Sequence, residues 1–303
     1  MVMCISPSLK CLLNNPMKLF EKILTIAAFS CCCMISEAQT AHSLFWRSDS
    51  LQVSELTAEP GNHFNKVGHH GPAVENSHMA LRIYFNDSGA VDVYSKTGRG
   101  MELMQYRWYP TPEQQDSLSV GTDGYIVGKT VGLGGVALWD DGKVVRLDAT
   151  AGRVARAGDT KKGSYAEVIS YGVPYGDGKV DISVRVDVLA KTREAVVTAT
   201  EINGRKVCFV TGVNFHDGQR VTYEEGYVSV WGPHPVKKTE VPFPIGAGLF
   251  YSEKDFPAVE KTEDMVRLVS KPLSRFETRI ISASSKEAEL NNAKRFEAYM
   301  SRC

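Results

Sequence analysis

Two adjacent histidines, a glutamate, an arginine and a tyrosine crowd into the stretch 68–86, GHHGPAVENSHMALRIYFN. These are the side chains of acid–base chemistry. An unperturbed imidazole titrates near ~6.5, so His70 can accept or donate a proton at neutral pH, and a carboxylate beside it, such as Glu75, would raise that value. Adjacent histidines on extended backbone point in opposite directions, so at most one of His69 and His70 could hold a metal ion. No metal site and no cofactor is expected. Tyr84 joins His70 and Glu75 as a proton-transfer candidate. Arg82 adds a planar fork of donors suited to a carboxylate.

The strand that carries Arg82 and Tyr84 alternates. Met79, Leu81, Ile83 and Phe85 take one face, and Ala80, Arg82, Tyr84 and Asn86 the other. Asp87-Ser88-Gly89 follows, and AVDVYSK alternates again. A hairpin loop at 87–89, with Gly89 left-handed, predicts Tyr84 opposite Asp92, Arg82 opposite Tyr94 and Ala80 opposite Lys96. One face then presents Arg82, Tyr84, Asp92, Tyr94 and Lys96 together. On this reading Arg82 and Lys96 hold a carboxylate of the ligand, with Tyr94 beside them in the binding set, while His70, Glu75 and Tyr84 move protons. A lyase, an epimerase and a glycosidase all remain open. The last needs two carboxylates ~5–9 Å apart, which Glu75 with Asp92 or Glu225 could supply. The plain structural alternative is a solvated outer sheet face.

Further along, NFHDG offers His216 and Asp217 in a turn, and TYEEGYVSVWGPHP offers Glu224, Glu225, Trp231 and His234. Trp231 beside Gly-Pro-His is either a platform that stacks on a sugar or a core tryptophan at a strand end. Trp231 and His234 are therefore taken as substrate-binding candidates. The segment VGKTVGLGGVALWDDGK is glycine-rich without being a phosphate loop, because no helix follows and the upstream glycine is missing. Its glycines suit close strand packing. No Gly-x-Ser-x-Gly, Ser-x-x-Lys or dinucleotide fingerprint occurs.

The elements that must position these groups are strands. MALRIYFN, AVDVYSK, KVDISVRVDVLA, EAVVTATEI, KVCFVTGVNF, YVSVW and RFETRIISAS read as strands, joined by Gly-, Asn- and Asp-containing turns. The segment 106–128 lacks a clear period and is expected to wrap the outside or rim a site. One helix is expected from about Ser285, where Ser284 and Glu287 form a capping box and Leu290, Ala293, Phe296 and Met300 repeat at helical spacing. The fold class is all-β: one large antiparallel sandwich over 39–303 with a short C-terminal helix.

Residues 1–38 read as a leader. Residues 1–16 precede a second start, Met17, after which Lys18 and Lys22, an apolar run over 23–35 and Ser36-Glu37-Ala38 make an export signal. The apolar run is too short to span a membrane. Cleavage is expected near Ala38, with a periplasmic destination. Lipid attachment at Cys31 is the competing reading, weakened because AFSC lacks the expected leucine. Cys4, Cys11, Cys31, Cys32 and Cys33 leave with the leader, so only Cys208 and Cys303 remain and thiolate zinc sites are excluded. The formal net charge is zero, which leaves no basic excess for a nucleic-acid backbone.

The motif GHHGPAVENSHMALRIYFND, followed by AVDVYSK and VGKTVGLGGVALWDDGKVVRL, resembles the secreted family known as domain of unknown function 4861, over about 45–282. Gly71, Pro72, Glu75, Arg82, Tyr84 and Lys96 match its pattern, while Val74 stands where members often carry an aromatic residue. The resemblance implies the large sandwich of galactose mutarotases (a supersandwich), a sugar ligand and a periplasmic setting among polysaccharide-degrading proteins. It implies no reaction. The Asn-His-x-Tyr-Trp segment of sugar 1-epimerases is absent, so simple galactose mutarotation is not supported. The leading expectation is a carbohydrate-active enzyme on an acidic oligosaccharide. The alternatives are a non-catalytic glycan-binding module using Trp108, Trp231 and Tyr94 as platforms, and a structural partner in a glycan-degrading complex.

Overall fold

The computed structural model describes residues 39–103, 105–235 and 243–302. The expected leader and Cys303 lie outside the described residues. A period-2 pattern builds the strands. Within Gly178–Leu189, Val180, Ile182, Val184, Val186 and Val188 are buried, while Asp181, Arg185 and Asp187 turn away from the core. β-branched side chains suit this pleat, because their stiff rotamers pack well on it.

The larger layer is a nine-stranded sheet. Its order is β13 (Arg220–Glu224), β14 (Tyr227–Pro233), β15 (Pro244–Phe250), β18 (Arg275–Ser284), β11 (Ala195–Glu201), β10 (Gly178–Leu189), β9 (Gly163–Tyr175), β8 (Arg153–Asp159) and β2 (Glu55–Ala58). Two smaller sheets form the opposing layer. One holds β1 (Thr40–Ser43), β3 (Ala73–Asn76), β4 (Ala80–Ile83) and β5 (Val91–Tyr94). The other holds β16 (Ala258–Lys261), β17 (Met265–Leu273), β12 (Val207–Asn214), β6 (Ala137–Asp140) and β7 (Lys143–Val145). The pairings are antiparallel throughout, apart from an isolated parallel bridge between Val91 and Gly132. Leu81, Ile83 and Val91, Val184 and Val197, and Phe209 and Leu268 share one core drawn from all three sheets. The expected all-β antiparallel sandwich is what forms.

Among the described residues two α-helices accompany the strands, α1 (Pro112–Leu118) and α2 (Ala293–Met300). The C-terminal helix was expected from Ser285. It starts at Ala293 instead, capped by the Asn292 side chain on Arg295 N. Ser284 and Glu287 are engaged elsewhere: Ser284 Oγ donates to Lys96 O, and the Glu287 carboxylate pairs with Arg193. With both box residues taken, no helix nucleates there. The buried Phe296 and Met300 of α2 pack on the outer face of β14 and β15, where Gly246 and Gly248 leave room and Trp231 supplies a facing ring. Helix α1 lies in the stretch 106–128 that showed no period, and it has the full capping box of Thr111 and Gln114 with Pro112 in its first turn. Cys208 is free among the described residues, and any bridge from it to Cys303 lies outside them.

The β4–β5 hairpin differs from the expected register by two residues. Arg82 pairs with Asp92 and Ala80 with Tyr94, and the last ladder bond runs from Tyr84 N to Ala90 O. The loop therefore spans 85–89. Asn86 is the cause: its side-chain oxygen accepts from Ser88 N at 2.8 Å and Ser88 Oγ at 2.6 Å, an Asx turn that withdraws it from pairing. Gly89 is left-handed as expected (φ 60°), and a β-carbon there would meet Val136 O at 2.1 Å.

Candidate functional site

The two faces of the four-stranded sheet have different fates. Val74, Leu81, Ile83, Val91 and Val93 enter the main core. The other face carries Ala73, Glu75, Ala80, Arg82, Asp92 and Tyr94, which the pairing registers bring into two rows. One row is Ala73–Arg82–Asp92 and the next is Glu75–Ala80–Tyr94. The segment after β5 folds back over this face, and Leu103 and Tyr109 pack on Ala73, Ala80 and Tyr94. It covers the second row and leaves the end of the first open.

At the open end lies a cavity of about 340 Å³ lined by Phe64, Arg82, Tyr84, Asp92, Asp123 and Arg146, with Asn62, Asn86, Ser88 and the 125–128 backbone completing its wall. Arg82 is its hub. Its Nε donates to Asp92 Oδ2 at 2.9 Å, one terminal nitrogen bonds both Asp92 and Asp123, and the other bonds the Tyr109 hydroxyl. Tyr84 donates to the same Asp92 oxygen at 2.5 Å, and Val93 N supplies the second oxygen at 2.7 Å. Burial pushes the Asp92 carboxyl upward while the Arg82 charge opposes it. Burial, reinforced by Asp92, also raises the Tyr84 phenol well above its ordinary value, so Tyr84 stays a protonated donor. Asp123 differs: its side chain is 33% exposed against 0% for Asp92. Arg146, also at the rim, pairs among the described residues with the half-exposed Asp87 alone, Nε to Oδ2 at 3.1 Å.

His70 stands beside this cavity. The 3-10 turn Gly68–His70 holds both histidines left-handed, at φ 54° for His69 and 64° for His70. The turn is clipped to the hairpin by Phe85 N on His70 O, and a β-carbon on Gly71 would meet Ile83 O at 1.8 Å. The His70 ring stacks on Phe64, centroids 3.8 Å apart, and its Nδ1 donates to Phe64 O at 3.0 Å. A carbonyl only accepts, so Nδ1 carries the proton and Nε2 keeps its lone pair. Burial lowers the His70 pKa, which favours this neutral form. The two histidines do point apart: His69 packs edge-on to Phe45 and Tyr109 instead.

Residues 31–303 match the family described as Domain of unknown function (DUF4861). The chain belongs to that family. No curated protein matches it. Among solved structures it is similar to a 4-alpha-glucanotransferase from Thermococcus litoralis, at 9% identity and a TM-score of 0.34, over 77% of this chain and 42% of that one. It is also similar to a protein described as an aldose 1-epimerase from Klebsiella pneumoniae subsp. pneumoniae, at 7% identity and a TM-score of 0.37, over 87% of this chain and 94% of that one. The chain thus spans less than half the length of the glucanotransferase.

The residues expected to act together separate into groups. Arg82, Tyr84 and Asp92 line the cavity, and His70 adjoins it. Glu75 and Lys96 do not reach it. Lys96 Nζ donates to Glu75 Oε1 at 2.5 Å, Asn76 O at 2.9 Å and Gly100 O at 2.5 Å, which uses all three of its protons. Glu75 also accepts from Glu102 N and Leu103 N. The pair is a buried clamp on the covering segment. Tyr94 is buried too, donating to Glu102 Oε2 at 2.8 Å. Trp231 is a core residue against Phe296 and offers no sugar platform. His234 is buried and meets the cavity wall through Tyr125, whose ring centroid lies 4.4 Å from its own, and through Ile126: its Nδ1 accepts from Ile126 N at 3.0 Å, while His216 Nε2 donates to Ile126 O at 2.8 Å. Burial first, then His216, lowers His234 to about 3.

Sequence reasoning missed Asp123, Arg146, Asn62 and Phe64. Asp123 sits in the segment without a period, and only its neighbourhood, a segment expected to rim a site, hinted at it. No helix among the described residues is long and apolar enough to cross a membrane.

Proposed function

We propose that the chain is an exported, periplasmic carbohydrate-active enzyme that takes an acidic, uronate-containing oligosaccharide, with the reacting ring in the Arg82–Asp123 cavity. The observation that most supports this is the contrast between two carboxylates on one guanidinium. Asp92 is buried and fully hydrogen-bonded, whereas Asp123 keeps an exposed side chain at the cavity. Environments that separate two carboxyls in this way give one a structural and the other a reactive role. Asp123 is the candidate proton carrier, His70 Nε2 a second, and Tyr84 a fixed donor to the ligand or to Asp92. The cavity volume falls within the range of about 300–1,000 Å³ usual for small-ligand sites. Four of the five Arg82 N–H groups serve Asp92, Asp123 and Tyr109 and the side chain is buried, so the carboxylate of the sugar falls mainly to Arg146 at the rim. Since Asp92 has no oxygen to spare, proton transfer at a sugar carbon, of lyase or epimerase type, suits the set better than hydrolysis by two free carboxylates.

The test is incubation with trigalacturonate and with neutral maltotriose, followed by chromatography and by ultraviolet absorbance for an unsaturated product. Turnover of the acidic substrate is expected, lowered about 10²-fold or more in Asp123→Asn with an unchanged melting temperature. Binding without turnover would instead make the protein a glycan-binding module, and neither binding nor turnover would sink the proposal.

A further inference from the structure

A second group of polar atoms lies on the far side of the histidine turn, where none of the described residues bonds them. The Phe45 ring, fully buried, stands edge-on to His69 at 5.6 Å and to Trp108 at 5.7 Å. The Arg107 guanidinium lies 4.0 Å from the Phe45 centroid, and that of Arg47 lies 4.9 Å from Trp108. Trp108 is half exposed, at 51%. His69 is 3% exposed, yet neither ring nitrogen has a hydrogen-bond partner. Nε and Nη2 of Arg107 are buried and likewise unpartnered. Neither Arg47 nor Arg107 forms an ion pair among the described residues, whereas Arg82, Arg146 and Arg193 do.

Buried donors without acceptors are rare, and such a group in a native protein calls for a water or an ion to complete it. Here the partly buried Arg107 guanidinium also has no counter-charge among the described residues, and an anion would supply one, with the exposed Arg47 at its edge. Left-handed backbone at His69, His70 and Tyr109 concentrates strain at the same place, as happens around ligand clamps. The half-exposed indole adds a ring surface of the kind that stacks on a sugar.

We propose that Arg107, His69 and Arg47, beside Trp108, form a subsite for an anionic sugar residue, whose carboxylate or sulfate accepts their N–H groups while its ring lies against the indole. The proposal rests on the saccharide reading above and extends it to a second position on the same ligand. The two positions are linked through the protein: Tyr109 bonds Arg82 at the cavity and packs against His69, and the next residue, His70, adjoins the cavity wall. Burial first, then the Arg82 and Arg107 charges, holds His69 near 3, so it enters the subsite neutral, with one N–H to give.

Calorimetric titration of the full chain tests this with trigalacturonate, a sulfated neocarratetraose and maltotriose as probes. The anionic probes should bind at least about 10-fold more tightly than maltotriose, as charge-assisted hydrogen bonds require. Arg107→Ala and Arg47→Ala should each weaken the preferred anionic probe about 10-fold and leave galacturonate monosaccharide binding unchanged. Arg47 is exposed, so its variant decides the matter even if Arg107→Ala fails to fold. A preference for either anion supports the subsite and names its chemistry. Binding that Asp123→Asn abolishes but both arginine variants preserve overturns the subsite and keeps the cavity reading. Binding that the arginine variants weaken but Asp123→Asn preserves keeps the subsite and overturns the cavity reading. No binding of any probe overturns both.

Discussion

Glu75→Ala separates a structural glutamate from a catalytic one. In the folded protein Glu75 is wholly buried and Lys96 nearly so, at 0% and 2% side-chain exposure. Removing the carboxylate leaves the Lys96 ammonium with two backbone carbonyls and no counter-charge, and it orphans the N–H groups of Glu102 and Leu103. Breaking a buried ion pair from one side costs about 3–5 kcal/mol, and each orphaned donor adds about 1–3 kcal/mol before relaxation. A loss of at least about 4 kcal/mol is expected, which lowers Tm by roughly 8–16 °C for a domain of this size. Lys96→Met should be milder, near 3 kcal/mol, because the remaining carboxylate keeps its two backbone donors. The double variant Glu75→Ala/Lys96→Met removes both charges and should cost less than the sum of the singles, by about 1–3 kcal/mol. Urea unfolding of the four proteins measures all of this. If Glu75→Ala melts with wild type and loses turnover on an acidic oligosaccharide, the clamp argument is wrong and Glu75 takes part in the chemistry.

Other outcomes follow from the same geometry. Phe296→Ala should cost about 3–5 kcal/mol by opening a void against Trp231, with saccharide affinity unchanged in titration. Arg82→Ala should also unfold readily, by about 3–5 kcal/mol, since it strands Asp92 in the interior; a native melting curve for it would return Arg82 to the ligand. Stability should fall on acidification below about pH 6.5 and continue falling toward pH 3, because His69 and His234 stay neutral when folded, each near 3, and protonate when unfolded. More protons on the unfolded chain mean stability that rises with pH, each of these two histidines adding up to about 1.4 kcal/mol per unit, with a smaller share from the half-buried His78, which burial lowers to about 4. Denaturation midpoints across that range should show His234→Gln with a slope shallower by about 1.4 kcal/mol per unit, and an unchanged slope would refute the assignment.

The strands were legible because alternation is a local signal. Met79 to Phe85 and Val180 to Val188 each carry the pattern within a few residues, and the core they form needs no knowledge of the rest of the chain. The hairpin register was not legible, because it turned on whether Asn86 would cap Ser88 or pair with Ala90, and both are local options of similar strength. The late start of α2 has the same origin, since Ser284 and Glu287 answer to Lys96 and Arg193, far away in sequence. Arg82 and Tyr84 could be singled out as titratable groups on one sheet face. That Glu75 and Lys96 would spend themselves on each other depended on the covering segment, and so did the arrival of Asp123 at the cavity. Trp231 had two equal readings until the position of Phe296 decided between them.

The covering segment is staked at both ends by carboxylates, one from the sheet and one of its own. Glu75 pins Glu102 and Leu103, and Glu102 in turn pins Gly121, two residues before Asp123. Between the stakes run Trp108, Tyr109 and the short helix α1, none of whose residues is buried. Lengthening a surface loop between fixed ends adds only about 0.6 kcal/mol per doubling. That stretch is thus an exchangeable cassette on a constant socket. Relatives, or a protein engineer, could replace 104–120 and re-aim what the protein recognises, at the cost of the Tyr109 bond to Arg82, while Asp92 and the sandwich beneath stayed untouched.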